Sequence, residues 1–227
     1  MDMILILYVD NLLLLGEDLS KIEDVKCQLG KFYQKKDLRP TSSYLGIQIT
    51  RDQNTCAIWI DQQVYIENAL KRFELLDANN TKTPLPAEIH LERSEEPVAL
   101  NTKTYYQQII GTLIYATIGT KPNITFAATT LSQFNNNLTQ EHIKYIKYVL
   151  QCLKGTKGLK IKYDRASDAR LIGYSDSDWG ENRDDRHSTS GHAFLMANGA
   201  ISWASQQQKT VTLSVGEAEY MELASTG

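Results

Sequence analysis

The chain has 227 residues, enough for one large or two small domains, and its 42% share of hydrophobic residues is sufficient for a packed core. Its 24 basic and 27 acidic residues nearly balance, so the overall charge indicates no particular partner. No apolar run approaches the roughly 18–20 residues of a transmembrane helix, and the first residues lack the basic segment of a secretory signal. Together with three cysteines that lack metal-ligand spacing, these features predict a cytoplasmic or nuclear protein that does not associate with membranes.

The first 76 residues predict a region that mixes helices with strands. Two apolar strands flank the pair Asp10-Asn11, whose residue types favour a hairpin turn with Asp10 exposed at its tip. Apolar residues at helical spacing then predict a helix over roughly 19–35, with Ser20 as a candidate cap. The region continues with two predicted strands and a helix, over 44–50, 56–60 and 62–75.

The middle of the chain predicts an extended connector followed by helices. Residues 77–103 hold three of the five prolines and show no regular hydrophobic period, which is typical of a connector. Three helices are then predicted, over about 104–118, 123–135 and 140–154. The last of them carries its apolar residues on one face, and Gly155 follows it at a position where helices commonly end.

The last third of the chain returns to strand patterns. The segments that alternate or run apolar are "LKIKY", "RLIGYSDSDW", "SGHAFLMANG" and "AISWAS". A helix is predicted to begin near Ser214, after these strands. Such a sheet normally packs against further strands, so we expect Trp203, Leu213 and Tyr220 to be partly uncovered and this end of the chain to be prone to association.

Several motifs in a fixed order resemble one family. The segment "YVDN" resembles the Tyr-Val-Asp-Asp hairpin of reverse transcriptases. The later segments that extend this resemblance are "YLGIQITRD", "GTLIYATIGTKPNITFA", "YVLQCLKGT", "GYSDSDWGENRDDRHSTSG", "AISWASQQQKTVTLS" and "EAEY". In this order they are similar to the second half of the copia-type retrotransposon Pol polyprotein, over nearly the whole chain.

The resemblance implies an α+β fold with four parts and a truncated copy of the polyprotein. The implied parts are a partial reverse-transcriptase palm with the YVDN hairpin over 1–76, an extended connector over 77–103, a helical thumb or connection over 104–158, and the N-terminal part of a ribonuclease H-like domain over 159–227. The last part is expected to form an incomplete sheet followed by a helix.

The resemblance implies a metal-binding role for the hairpin. Nucleotidyl transfer uses two magnesium ions, and magnesium prefers carboxylate and phosphate oxygens. In this family the hairpin presents two adjacent carboxylates, so Asp10 takes the first position and Asn11 stands, as a degenerate residue, where the second carboxylate is expected. We therefore expect Mg²⁺ binding here to be weak or absent. The alternative is that Asp10 and Asn11 are simply a good turn pair.

The same resemblance implies residues of a ribonuclease H site. The family cleaves the RNA strand of a hybrid with two metal ions held by four acidic residues. "GYSDSDW" places the first carboxylate and metal ligand at Asp176, and "EAEY" places the second at Glu219. A register slip would instead place them at Asp178 and Glu217. The alternative is that these carboxylates belong to a solvated strand end and a solvated helix face.

Candidate nucleic-acid contacts lie in the expected thumb. Residues 140–163 carry six lysines against one acid, Glu141, and lysines can neutralise phosphates while tyrosines stack on bases. The candidate binding residues are Lys144, Lys147, Lys154 and Lys157, with Gly46 where the family holds the primer end. The alternatives are a solvated helix face for the lysines and a bulge or packing requirement for the glycine.

Three functions remain open from the sequence. The chain is either a fragment of a reverse transcriptase and ribonuclease H that is inactive by itself, or a nucleic-acid-binding module for RNA–DNA hybrids or single strands. The third hypothesis is an active enzyme completed by another chain that supplies the missing half of a Pol polyprotein. The partner that the resemblance implies is a template–primer or an RNA–DNA hybrid, although the first hypothesis predicts neither turnover nor specific binding.

Overall fold

The computed structural model of the chain describes residues 3–34, 36–38, 41–86, 89, 91–93, 98–165, 170–178, 187–208, 210 and 214–226. These residues mix helices with antiparallel sheets, as the sequence predicts. The strands are β1 (Ile4–Tyr8), β2 (Asn11–Leu15), β3 (Ser43–Tyr44), β4 (Ile47–Asp52), β5 (Ala57–Asp61), β6 (Ile161–Tyr163), β7 (Ile172–Asp178), β8 (Thr189–Met196) and β9 (Gly199–Gln207). The α-helices are α1 (Leu19–Phe32), α2 (Gln63–Arg72), α3 (Leu100–Gly119), α4 (Thr125–Ser132), α5 (Gln140–Gly155) and α6 (Val215–Thr226), with a 3₁₀ turn over Pro122–Ile124.

The strands form three antiparallel sheets within the described part of the chain. They are the hairpin β1-β2, the four-stranded sheet β3-β4-β5-β6 and the three-stranded sheet β7-β8-β9. Strand β6 follows α5 in sequence, yet it pairs with β5, where Ile161 lies opposite Ile60. The predicted strand "LKIKY" therefore joins the sheet of the first region rather than the later strands, because this pairing buries Ile161.

A single helical core stabilises the middle of the chain. In α5 the apolar residues recur at the spacing of one helix face, which turns them towards α2, α3 and α4. Full burial of one such side chain contributes about 1.5–3 kcal/mol. The buried residues that meet in this core include Ile66, Leu70, Ile109, Leu113, Ala127, Leu131, Ile146, Val149, Leu150 and Leu153.

One helix cap and one helix start differ from the sequence prediction. Helix α1 is capped by Asp18 rather than Ser20, since Asp18 Oδ1 accepts the backbone N–H of Ser20 at 2.9 Å. The hydroxyl and N–H of Ser20, with the N–H of Lys21, hold the pKa of Asp18 below its usual value. Helix α3 begins at Leu100, within the predicted connector, because its first turn is already closed by local hydrogen bonds such as Thr104 Oγ1 to the Leu100 carbonyl at 2.9 Å.

The three-stranded sheet packs against the helical core through Trp203. Its indole Nε1 donates to the Thr117 carbonyl of α3 at 2.8 Å, and the side chain is half-buried. Tyr220 on α6 is 73% exposed. The expectation of partly uncovered aromatic residues is thus confirmed for Trp203 and Tyr220, while Leu213 lies outside the described residues.

The ammonium group of Lys121 is buried at the C-terminal end of α5. Its Nζ donates to the carbonyls of Thr156 and Leu159 at 2.8 Å each, and to that of Lys157 at 3.4 Å. Burial lowers the pKa of Lys121 to about 8, although Asp61 opposes this shift. A cation at this position also interacts favourably with the negative end of the helix dipole. Lys121 therefore ties the loop after α3 to the end of α5.

The imidazole of His142 closes the N-terminal end of α5. Its Nδ1 accepts the N–H of Thr139 at 2.8 Å, and its ring lies 4.1 Å from the ring of Phe134, centroid to centroid. This is the arrangement of a capping box with histidine in place of Glu or Gln. Burial lowers the pKa of His142 to about 4, which keeps the ring neutral so that Nδ1 can accept.

Replacing His142 with Gln tests this pH dependence. The pKa of His142 is about 4 in the folded chain against 6.5 in the unfolded chain, so between these values the unfolded state binds the additional proton. We expect the free energy of unfolding to fall by about 1–2 kcal/mol from pH 7 to pH 5 in the unsubstituted chain, and by less in His142→Gln. Urea unfolding at both pH values measures this, and an equal fall in the two proteins would contradict the prediction.

Replacing Lys121 with Met tests the anchor at the end of α5. The substitution keeps most of the buried volume but leaves the carbonyls of Thr156 and Leu159 without their donor. We expect a loss of about 1–3 kcal/mol in the free energy of unfolding, the usual cost of unsatisfied buried groups. The exposed Lys82→Met is the matched control, with an expected change within about 0.5 kcal/mol. If denaturant titrations give similar losses in the free energy of unfolding for both variants, the hydrogen bonds of Lys121 do not stabilise the end of α5.

Candidate functional site

The hairpin β1-β2 places Asp10 at its tip, as the sequence predicts. Tyr8 lies opposite Asn11 across the two strands, so the two turn residues are Val9 and Asp10. The predicted turn pair Asp10-Asn11 is therefore wrong by one residue, and Asn11 is the first residue of β2. Both Asp10 and Asn11 are exposed.

The turn is built on an unfavourable residue. Val9 has a φ of 50°, whereas Asp10 is not among the residues of positive φ, which is the pattern of a type II′ turn. Glycine is preferred at the first position of that turn, because a branched Cβ is crowded there. The left-handed conformation costs an L-residue about 1–2 kcal/mol. The tip is consequently held in place against the local preference of Val9.

The surface around the tip is apolar and open. Leu7 is 67% exposed and Val9 77% exposed, and large apolar side chains of both strands remain accessible along the hairpin. Helix α1, which follows the hairpin in the chain, has no fully buried residue either. Exposed apolar patches of this kind commonly mark interaction surfaces.

Gly46 lies in a turn rather than in the strand predicted over 44–50. Leu45 and Gly46 both have positive φ, 49° and 74°, and they connect β3 to β4 as a two-residue turn. The hydroxyl of Tyr115 donates to the Leu45 carbonyl. A Cβ at Gly46 would lie 3.3 Å from that hydroxyl oxygen. Backbone conformation and close contact with α3 together account for glycine here.

The four candidate lysines fall into two pairs. Lys144 and Lys147 are exposed on α5. Lys154 Nζ donates to the Ala78 carbonyl at 2.7 Å, and Lys157 Nζ forms an ion pair with Glu67 at 2.8 Å. That ion pair is the main reason why the pKa of Glu67 is lowered. The first pair is available to a ligand, whereas the second pair already contacts the chain itself.

The carboxylates Asp176 and Asp178 lie on one face of the three-stranded sheet. Both are on β7, an edge strand, where alternate residues point to the same side. Both are exposed, and Asp176 Oδ1 accepts the N–H of Ser177 at 3.0 Å. Asp176 lies opposite Gly191, so no side chain faces it from β8.

Helix α6 packs on the other face of that sheet. Gln208 Nε2 donates to Ser190 Oγ at 2.8 Å and to the Ala218 carbonyl at 3.0 Å, which ties α6 to the side that carries Ser190. Ser190 lies opposite Ser177, and opposed residues share a face. Because Ser177 alternates with Asp176 along β7, Asp176 points away from α6.

The acidic residues of α6 have two different environments. Glu219 and its alternative Glu217 are exposed, and the sheet separates them from the face of Asp176. Glu222 is buried, and its Oε1 lies 3.6 Å from His192 Nδ1. Neither Glu222 nor His192 is a candidate site residue from the sequence. The spacing of Glu222, four residues after the buried Ala218, is the signal that places it on the inner face.

The residues present do not by themselves fit a two-metal centre. The described part of the chain contains no group of three His, Cys, Asp or Glu side chains that could hold a metal ion. At the described hairpin tip Asp10 supplies one carboxylate, and Asn11 adds a neutral amide. Magnesium is usually held through carboxylates and substrate phosphates, so this arrangement provides one element of such a site.

Comparisons with known proteins identify the family. Residues 1–87, which include the hairpin, match the model described as reverse transcriptase (RNA-dependent DNA polymerase). The retrovirus-related Pol polyprotein from transposon TNT 1-94 of Nicotiana tabacum is 37% identical over 229 residues, covering 99% of this chain and 17% of that protein. The chain belongs to the reverse transcriptase family of copia-type retrotransposon Pol polyproteins. The Pol polyprotein from transposon RE1 of Arabidopsis thaliana is 32% identical, covering 98% of the chain and 15% of that protein.

The chain spans about a sixth of the length of these Pol polyproteins. It also matches an uncharacterized mitochondrial protein of Arabidopsis thaliana at 32% identity, over 99% of the chain and 91% of that protein. No solved structure matches this chain. Among its described residues, no helix is long and apolar enough to cross a membrane.

Replacing Val9 with Gly tests the strain at the hairpin tip. Glycine removes a penalty of about 1–2 kcal/mol and adds a backbone entropy cost of about 0.5–1 kcal/mol. We expect a net gain in the stability of the hairpin, which would appear as slower amide hydrogen exchange in β2. Val9→Ala, which keeps a Cβ at positive φ, is the control and should gain less. Faster exchange in Val9→Gly than in the unsubstituted chain would contradict the assigned turn.

Proposed function

We propose that the chain contributes to RNA-directed DNA synthesis as a reverse transcriptase segment of a copia-type Pol polyprotein, with Asp10 as a magnesium ligand. The observation that carries this proposal is the exposed carboxylate of Asp10 at the tip of the hairpin. The family match over 1–87 supports it, since that range contains the hairpin.

We propose that this segment performs no nucleotidyl transfer alone. Two magnesium ions need several carboxylates, because each ion requires oxygen ligands in near-octahedral geometry and the two ions must be held together at the reacting oxygens. Asp10 offers one carboxylate, and Asn11 contributes no charge. The remaining ligands are assigned to another segment of a Pol polyprotein, which supplies its own carboxylates.

The apolar surface of the hairpin supports this division of the site. Leu7 and Val9 flank the tip and are largely exposed, so a second segment that packs on the hairpin would bury them. Burying such a surface contributes roughly 25 cal/mol for each Å² removed from water. The same contact would bring the partner's carboxylates close to Asp10 and would hold the turn at Val9.

We also propose that residues 159–227 include the N-terminal part of a ribonuclease H-like domain. The three-stranded antiparallel sheet followed by α6 supports this assignment. Asp176 and Glu219 are the proposed metal ligands, with Asp178 and Glu217 as alternatives. Because the two candidate carboxylate groups lie on different sides of the sheet, we propose that this part cleaves no RNA by itself.

Primer extension on an RNA template tests the role of Asp10. We expect no DNA synthesis from the purified chain in magnesium, and synthesis when it is mixed with the segment that precedes the matched region in the Pol polyprotein from Nicotiana tabacum. Asp10→Asn in that mixture should reduce the rate at least about 100-fold, as expected for loss of several kcal/mol of electrostatic stabilisation. Asn11→Asp should keep or raise the rate.

The matched control is Asp24→Asn, an exposed carboxylate on α1 that lies outside the tip. It removes the same charge and should leave synthesis unchanged. If Asp10→Asn and Asp24→Asn extend the primer equally well, Asp10 is not a ligand. If no mixture extends the primer although both partners are folded and bound, the proposed function itself is wrong.

A further inference from the structure

The turn between β8 and β9 lies against the end of β6, so the three-stranded sheet contacts the four-stranded sheet there. The N–H of Asp164, the residue after β6, donates to the Ala197 carbonyl in the turn at 3.0 Å. The side chain of Asn198 donates from Nδ2 to Asp164 Oδ1 at 2.7 Å. We call these contacts of Asp164 with Ala197 and Asn198 the turn latch.

Two further contacts hold the same turn on β6. The Tyr163 hydroxyl donates to the Ala200 carbonyl at 2.6 Å. Gly199 is buried, and a Cβ at this position would overlap the Tyr163 ring and lie 2.6 Å from the Lys162 carbonyl oxygen. Glycine is therefore required at position 199, because the backbone of the turn approaches β6 closely.

The turn has a backbone conformation that only one of its two central residues favours. Met196 lies opposite Gly199, so these central residues are Ala197 and Asn198. Their φ angles are 52° and 63°, as in a type I′ turn. Asparagine tolerates this left-handed region, whereas alanine does not favour it. The hydrogen bond from Asp164 to the Ala197 carbonyl forms only when the turn is docked, so docking stabilises the turn from outside the hairpin.

The carboxylate of Asp164 is charged and has a second partner. Lys162 Nζ lies 3.0 Å from Asp164 Oδ2, which leaves Oδ1 to accept from Asn198. The hydrogen bonds from Lys162 and Asn198 hold the pKa of Asp164 below its usual value. Asp164 is therefore ionised at neutral pH. The amide of Asn198 donates to a charged acceptor, which makes a stronger hydrogen bond than a neutral one does.

The sheet is attached at two separate points. Besides the turn latch, Trp203 Nε1 donates to the Thr117 carbonyl of α3 at 2.8 Å. Trp203 lies four residues beyond Gly199 on β9, a separation of roughly 13 Å along an extended strand. One point of attachment would allow the sheet to rotate about it, whereas two separated points define an orientation.

We propose that Asp164 and Asn198 are positioning residues that hold the ribonuclease H-like sheet in one orientation against the four-stranded sheet. Strand β7, which carries the candidate ligand Asp176, belongs to the held sheet. The turn latch thereby sets the position of Asp176 relative to the reverse transcriptase part of the chain. The role of Asp176 rests on the proposed function, whereas the docking rests on the contacts of the latch.

Double electron–electron resonance between two spin labels tests this orientation. One label is attached to the exposed Cys56 between β4 and β5, and the other to Ser202→Cys, at an exposed position on β9. Cys27→Ser removes the other exposed cysteine. We expect one narrow distance distribution in this labelled chain. Adding Asn198→Asp sets two carboxylates against each other, and we expect their repulsion to widen the distribution at least about twofold.

Exchanging the two residues of the latch is the matched rescue. Asp164→Asn combined with Asn198→Asp restores one amide donor and one carboxylate acceptor, so the narrow distribution should return. Aspartate tolerates the left-handed position as asparagine does, so Asn198→Asp changes the charge and not the preference of the turn. Asn136→Asp, at an exposed position between α4 and α5, adds the same charge outside the latch and should leave the distribution unchanged.

A second variant tests the latch without adding a charge. Asn198→Gly keeps a residue that accepts positive φ but removes the side-chain donor, so we expect it to widen the distribution as well. Circular dichroism establishes that each variant is folded. The proposal is overturned if the distribution stays narrow in both Asn198→Asp and Asn198→Gly, if the exchange fails to restore it, or if Asn136→Asp widens it equally.

The distance measurement needs no catalytic activity and no complementing segment. A widened distribution in Asn198→Asp that the exchange restores, together with failure of every primer-extension mixture, would support the latch and remove the polymerase function. An unchanged distribution together with normal primer extension would remove the latch and support the polymerase function.

Discussion

The buried ammonium group of Lys121 ties the loop after α3 to the residues that lead from α5 into the four-stranded sheet. It binds the carbonyls beyond α5 and so fixes the direction in which the chain leaves that helix towards β6. The next residue in this segment, Lys160, forms an ion pair at 2.9 Å with the buried Asp61 at the end of β5. This ion pair holds the same segment between α5 and β6 against β5. Apolar packing is not directional, whereas these charged contacts specify one register of sheet against core.

The hairpin with Asp10 has a different physical character from this core. Its apolar residues are exposed, its turn holds Val9 at positive φ, and helix α1, which follows it in the chain, has no fully buried residue. An element with so much exposed apolar surface would gain stability from a partner that buries it. The candidate catalytic carboxylate therefore lies on a part of the chain whose apolar residues are exposed, and not on the helical core.

Elements were predictable wherever one local pattern dominates. The helices of the core follow from apolar spacing, and the exposed tip at Asp10 follows from residue type. The exact turn residues could not be predicted, because valine at a position of positive φ contradicts local preference. Only the strand register shows that Val9 and Asp10 form the turn. The sequence also could not predict which of the candidate lysines contact the chain itself, since the contact of Lys154 with Ala78 joins residues 76 positions apart. Contacts of that range leave no periodic trace in a sequence.

The pairing of β6 with β5 has a consequence for how the chain folds during synthesis. Ile60 and Ile161 are partners across the sheet, so the sheet that starts at β3 stays unfinished until the end of α5 has been made. Closing so long a loop costs entropy before the pairing returns any stability. The helices between the two strands must therefore assemble first, and until β6 arrives the edge of β5 is an open template for wrong pairing.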